Sequence, residues 1–143
     1  MDKRVREAAS SLGALARGDL GMARLGCQNL GEYANLVAFH CQQAAEKVLK
    51  ACLMAVGVEP PLTHSLRLLA DLLKGRGLPP PNEDDARLLG AFAVGPRYGA
   101  REVSPEEALA AVKAAERVLD AYEPVLRRLV DEDEGEQAGG GGR

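Results

Sequence analysis

Apolar residues return at spacings of three and four over most of this chain, the signature of helices packed on one face. Val5, Ala9, Leu12, Ala16, Leu20, Ala23 and Cys27 predict a first helix over residues 3–27. Gly13, Gly18 and Gly21 weaken it, each by about 1 kcal/mol relative to alanine, but small residues also permit close packing. A second helix is predicted over residues 32–56, with two stripes. Val37, Cys41, Ala44, Val48, Ala51 and Ala55 form an apolar one. His40, Gln43, Lys47 and Lys50 form a polar one, one or two positions round the cylinder. Leu36, Phe39, Leu49 and Leu53 add apolar surface, so this helix is expected to be mostly buried.

A loop at 57–62 leads to Thr63, the expected N-cap of a short helix to about Lys74 with Leu66, Leu69, Ala70 and Leu73 inward. Gly75, Gly77 and the prolines at 79–81 end it. Asn82 and Asp85 resemble a capping box opening a fourth helix to about Val94. After a loop at 95–103, Ser104-Pro105-Glu106-Glu107 starts the last helix: N-cap, proline at the first position, capping-box glutamate. Ala108, Ala111, Ala115, Val118, Tyr122, Val125 and Leu129 mark its buried face to about Val130, and Pro124 is expected to kink it. The reading is one helical domain over 1–130 and a disordered acidic, glycine-rich tail over 131–143.

Composition narrows the fold class. The 143 residues include 23 Ala, 21 Leu and 11 Val, with no Ile and one Thr. Helix formers dominate and the β-favouring set is thin, so an all-α, up-and-down four-helix bundle with an additional short helix is expected. Charge is unevenly spread. The net charge is −3, but the tail alone carries −4, which leaves the body at +1 and open to an anionic ligand. Three scattered cysteines, no apolar leader after Met1 and no run near the roughly 18 apolar residues of a membrane span point to a cytoplasmic protein without membrane contact.

Three features carry candidate chemistry. The stripe of His40, Gln43, Lys47 and Lys50 reads either as an anion or nucleotide site or as an interhelical network; Gln42, Glu46 and Lys50, four apart, suit a surface lattice. His64, after a Pro-Pro turn at a helix start, reads as an acid, base or phosphate donor, or as a residue that packs on the turn. Arg97 and Arg101 flank Tyr98 in a glycine-bounded loop. Guanidinium groups suit phosphate and the tyrosine suits a base, unless Tyr98 plugs the bundle and Arg97 pairs with a carboxylate. No zinc-like ligand spacing, Walker loop, GxSxG or nucleophile–base pair is present, so no metal or cofactor is expected.

Gly18-Asp19-Leu20, the run from Phe39 to Ala51 with its Gln-Gln-Ala-Ala-Glu-Lys centre, Thr63-His64-Ser65-Leu66 and Arg97-Tyr98 together resemble the HEPN domain family, named for nucleotide binding in higher eukaryotes and prokaryotes. The resemblance implies a usually dimeric helical bundle from a prokaryote. It implies a role beside a minimal nucleotidyltransferase, as its substrate-binding or toxin subunit. Lacking the Gly-Ser signature of the transferase, this chain would be the partner. The candidate nucleotide-binding residues are Gln43, Lys47, Lys50, His64, Arg97, Tyr98 and Arg101, with ATP, ADP or AMP as the ligand. One branch of the family consists of metal-independent ribonucleases with an Arg and a following His separated by four to six intervening residues. Here Tyr33, Ala34 and Asn35 precede His40 at that distance, and Gly57, Val58 and Glu59 precede His64. The motif is missing, so a non-enzymatic binding module is expected. The alternatives are a ribonuclease toxin of a toxin–antitoxin pair acting on RNA through Arg97 and His64, and a purely structural dimer using the small-residue faces of the first and last helices.

Overall fold

The structure, a computed structural model, describes residues 1–93 and 102–141. They form five α-helices and no strand. The helices are α1 (Lys3–Gly26), α2 (Leu30–Ala55), α3 (Leu66–Gly75), α4 (Glu83–Gly90) and α5 (Pro105–Gly141), with a 3₁₀ turn at Cys27–Asn29. The expected helical bundle with an extra helix is what forms. α2 touches each of the other four helices, and α3 and α4 together cover the side that α1 and α5 leave open.

Local chemistry sets the element ends. Asp2 caps α1 by accepting from the Arg4 N–H at 2.8 Å. α2 and α3 end alike. Gly57 and Gly77 adopt φ of +82° and +77°, a left-handed conformation that favours glycine. The following N–H groups reach back, Val58 to the Leu53 carbonyl at 2.9 Å and Leu78 to Leu73 at 3.0 Å, closing Schellman motifs. The α3 cap differs from expectation. Ser65 caps the helix, accepting from the Leu68 N–H at 3.1 Å, while Thr63 accepts from the Ser65 N–H at 3.0 Å and shapes the turn before it.

At α4, Asn82 accepts from the Asp84 and Asp85 N–H groups, but Asp85 turns away to Arg117, so the reciprocal half of the capping box is absent. The helix stops at Gly90, short of the expected end, where i to i+3 bonds from Ala91, Phe92 and Ala93 tighten the chain. The Ser104–Glu107 capping box forms in both directions, at 3.1 and 3.3 Å. α5 runs through Pro124 and on past Val130 to Gly141, further than the apolar period reaches.

The core is built from small residues and leucines: Ala9, Ala16, Leu20 and Ala23 of α1, eleven apolar positions of α2, and Ala108 to Leu126 of α5. Two glycines are there for contact. A Cβ at Gly13 would lie 2.6 Å from Leu126 Cδ2, and one at Gly26 would lie 2.5 Å from Val37 Cγ2. The small-residue faces of α1 and α5 are thus partly spent on each other. Two polar ties lock the α4 side. Arg117 holds the buried Asp85 carboxylate through Nε and Nη2 at 3.0 and 2.8 Å, and the Tyr122 hydroxyl donates to the Pro79 carbonyl at 2.5 Å.

Candidate functional site

The polar stripe of α2 is organised by two carboxylates, Asp19 of α1 and Glu46 of α2 itself. Asp19 accepts from Lys47 Nζ at 2.5 Å on Oδ2, and His40 Nδ1 lies 2.9 Å from Oδ1. Glu46 is 5 % exposed. Its Oε1 takes Gln42 Nε2 at 3.1 Å and His64 Nδ1 at 2.8 Å, and its Oε2 takes Lys50 Nζ at 3.2 Å. Gln42 also donates to the His64 carbonyl at 3.3 Å, and Gln43 donates to Gln42 Oε1 at 2.7 Å. Each imidazole presents Nδ1 to a carboxylate oxygen, the geometry that suits a proton on Nδ1 and leaves Nε2 turned to other partners.

Why these residues meet follows from local structure. Gln42, Glu46 and Lys50 stand four apart and line up along α2. The Schellman turn at Gly57 brings the chain back, and the Thr63 turn presents His64 to Glu46. Burial alone pushes the Glu46 carboxyl up. Hydrogen bonds from His64, Gln42 and Lys50, with the Lys50 charge, outweigh it and hold the group below its ordinary value of 4.5.

The candidate residues therefore divide. Gln43, Lys47, Lys50 and His64 all lie in these two clusters, together with His40. The ammonium groups are spoken for: Lys47 is 26 % and Lys50 16 % exposed, each against a carboxylate that is more buried. His64 differs, with its side chain 66 % exposed. Arg97, Tyr98 and Arg101 lie outside the described residues. Sequence reasoning misses Asp19 and Glu46 as site residues. The spacing of Glu46 suits a surface lattice, yet the side chain is buried. The signal for Asp19 is a carboxylate beside the core residue Leu20.

Other chemistry is quiet. Burial pushes the Cys41 and Cys52 thiols up to about 12, and that of Cys27 in the same direction, so none is a thiolate at neutral pH. Among the described residues no group of His, Cys, Asp and Glu could hold a metal ion. No described helix is long and apolar enough to cross a membrane. An apolar surface is left over: Met22, Leu25, Tyr33 and Leu36 are 41–60 % exposed around a groove of about 250 Å³ between α1 and α2, with His40 at its edge.

Fold and site define an all-α bundle whose central helix carries a carboxylate-centred polar network. The chain belongs to the HEPN domain family, whose model matches residues 14–125. It is similar to the crystal structure of TT1696 from Thermus thermophilus, at 29 % identity and a TM-score of 0.65, over 81 % of this chain and 96 % of that one. Among curated proteins no relative matches.

Proposed function

We infer that this protein is a non-catalytic binding subunit: a homodimer that takes a nucleotide, or the nucleotide-bearing face of a minimal nucleotidyltransferase. The observation that carries the subunit reading is the apolar face of Met22, Leu25, Tyr33 and Leu36. Four large apolar side chains gathered on one face support a protein contact there. Dimerisation through this face is the proposal. Sedimentation velocity then gives a dimer for the parent chain and a folded monomer for Leu25→Glu/Leu36→Glu. A parent chain that sediments as a monomer at tens of micromolar removes the reading.

The nucleotide part is supported by the family and by the chemistry at the edge of the network. Lys47 and Lys50 are paired, so phosphate contact falls to Arg97 and Arg101, with Tyr98 on the base and the exposed His64 as a hydrogen-bonding group. Calorimetric titration with ATP, ADP and AMP tests it. Saturable binding that Arg97→Ala weakens several-fold is expected, and equal affinity in the variant refutes the placement. A carboxylate-held, exposed His64 favours one second reading, metal-independent RNA cleavage with Arg97. That reading requires growth arrest on expression, relieved by His64→Ala.

A further inference from the structure

Most described cations near the core are already committed: Arg17 to Glu123, Arg24 to Glu116, Lys47 to Asp19, Lys50 to Glu46 and Arg117 to Asp85. Between α3 and α4 the pattern changes. A crevice of about 520 Å³ opens there, with Arg67 and Lys74 of α3 on one side and Arg87 of α4 on the other. Among the described residues no ion pair or hydrogen bond engages the Arg67 or Lys74 side chain. Arg87 is held only loosely, 3.4 Å from Glu83 and 3.6 Å from Asp84, in contacts between side chains at least 72 % exposed. Such contacts contribute little and give way to a better anion.

The shape has a cause in sequence. Ala70 and Ala86 line the crevice where α3 and α4 approach, and larger side chains would fill it. Pro80 and Pro81 add a rigid apolar wall with no N–H to satisfy. The volume suits one small organic ligand. Asp71 and Glu83 also line it, so three cations stand against two carboxylates and the balance is +1.

We propose that the α3–α4 crevice binds an organic phosphate. Arg67 and Lys74 hold the phosphate, Arg87 closes on it from the rim, and the body of the ligand lies on Ala70 and Ala86 against the proline wall. None of these residues belongs to the nucleotide reading built on Arg97 and His64, so the two stand or fall separately.

The test is calorimetric titration of the full chain with AMP, ribose 5-phosphate and adenosine. AMP and ribose 5-phosphate bind saturably and adenosine does not. Arg67→Ala/Lys74→Ala weakens both phosphates by about tenfold or more, the loss expected for hydrogen bonds to a charged group. It keeps the parent melting temperature, because both side chains are exposed. Asp71→Asn, which removes a repelling charge, tightens binding. Lys113→Ala, an exposed cation on α5, leaves it unchanged and controls for net charge. Absence of saturable heat with both phosphates overturns the proposal. So does binding that the double variant leaves intact while Arg97→Ala abolishes it, which assigns the phosphate to the other site.

Discussion

Glu46 is almost fully buried, and it is tolerated there because three donors surround it. Removing the carboxylate strands the Lys50 ammonium and leaves the Gln42 amide with only the His64 carbonyl as acceptor. Glu46→Ala therefore costs about 2–3 kcal/mol, read as a lowered melting temperature, whereas mutation of a typical exposed ion pair costs under about 1 kcal/mol. The same group sets an acid limit. Its native carboxyl titrates below the ordinary value of 4.5, so between the two values the unfolded chain holds more protons than the native one. Stability from Glu46 is complete above the ordinary value and is lost as pH falls through the depressed one. Denaturant titrations from about pH 6 to about pH 3 show this slope in the parent chain and a shallower one in Glu46→Gln. Equal slopes would mean that Glu46 is not the group responsible. Spacing on α2 makes the Gln42–Glu46–Lys50 alignment legible. It does not show that the row faces inward, because His64 covers it from 18 residues away.

At the scale of elements, the glycines of α1 do different work despite equal propensity. Gly26 meets Val37, a buried β-branched residue with little rotamer freedom, so Gly26→Ala costs about 1–3 kcal/mol. A Cβ at Gly18 meets nothing within 4 Å, so Gly18→Ala gains about 0.5–1 kcal/mol from helix propensity. Thermal melts of the two variants should move in opposite directions, and a loss in both would contradict the contact argument. Helix existence is legible throughout from the apolar period. The ends are legible where a side chain acts on its own backbone, as at Ser104, Asn82 and Gly77. Sequence misplaces the cap at Thr63, where two hydroxyls two residues apart compete for one helix start.

For the whole molecule, the buried positions of α5 run from Ala108 to Leu126, and Val130 still packs against the core. Residues beyond Glu132 include one apolar side chain, Ala138, and so have little apolar surface to bury. A chain ending at Glu132 is expected to keep its stability to within about 0.5 kcal/mol, measured by denaturant midpoint, as for surface changes in general. A clear loss would place part of the tail in the folded unit. The all-α class, the helix order and the small-residue core follow from the sequence alone, because helix propensity and a 3.6-residue period are local properties. Which polar residues neutralise which, and which cations remain available to a ligand, was decided only by tertiary structure. Asp19 meets Lys47 across 28 positions and Arg117 meets Asp85 across 32, and such long-range pairings are set by the packing of helices, which no local spacing encodes.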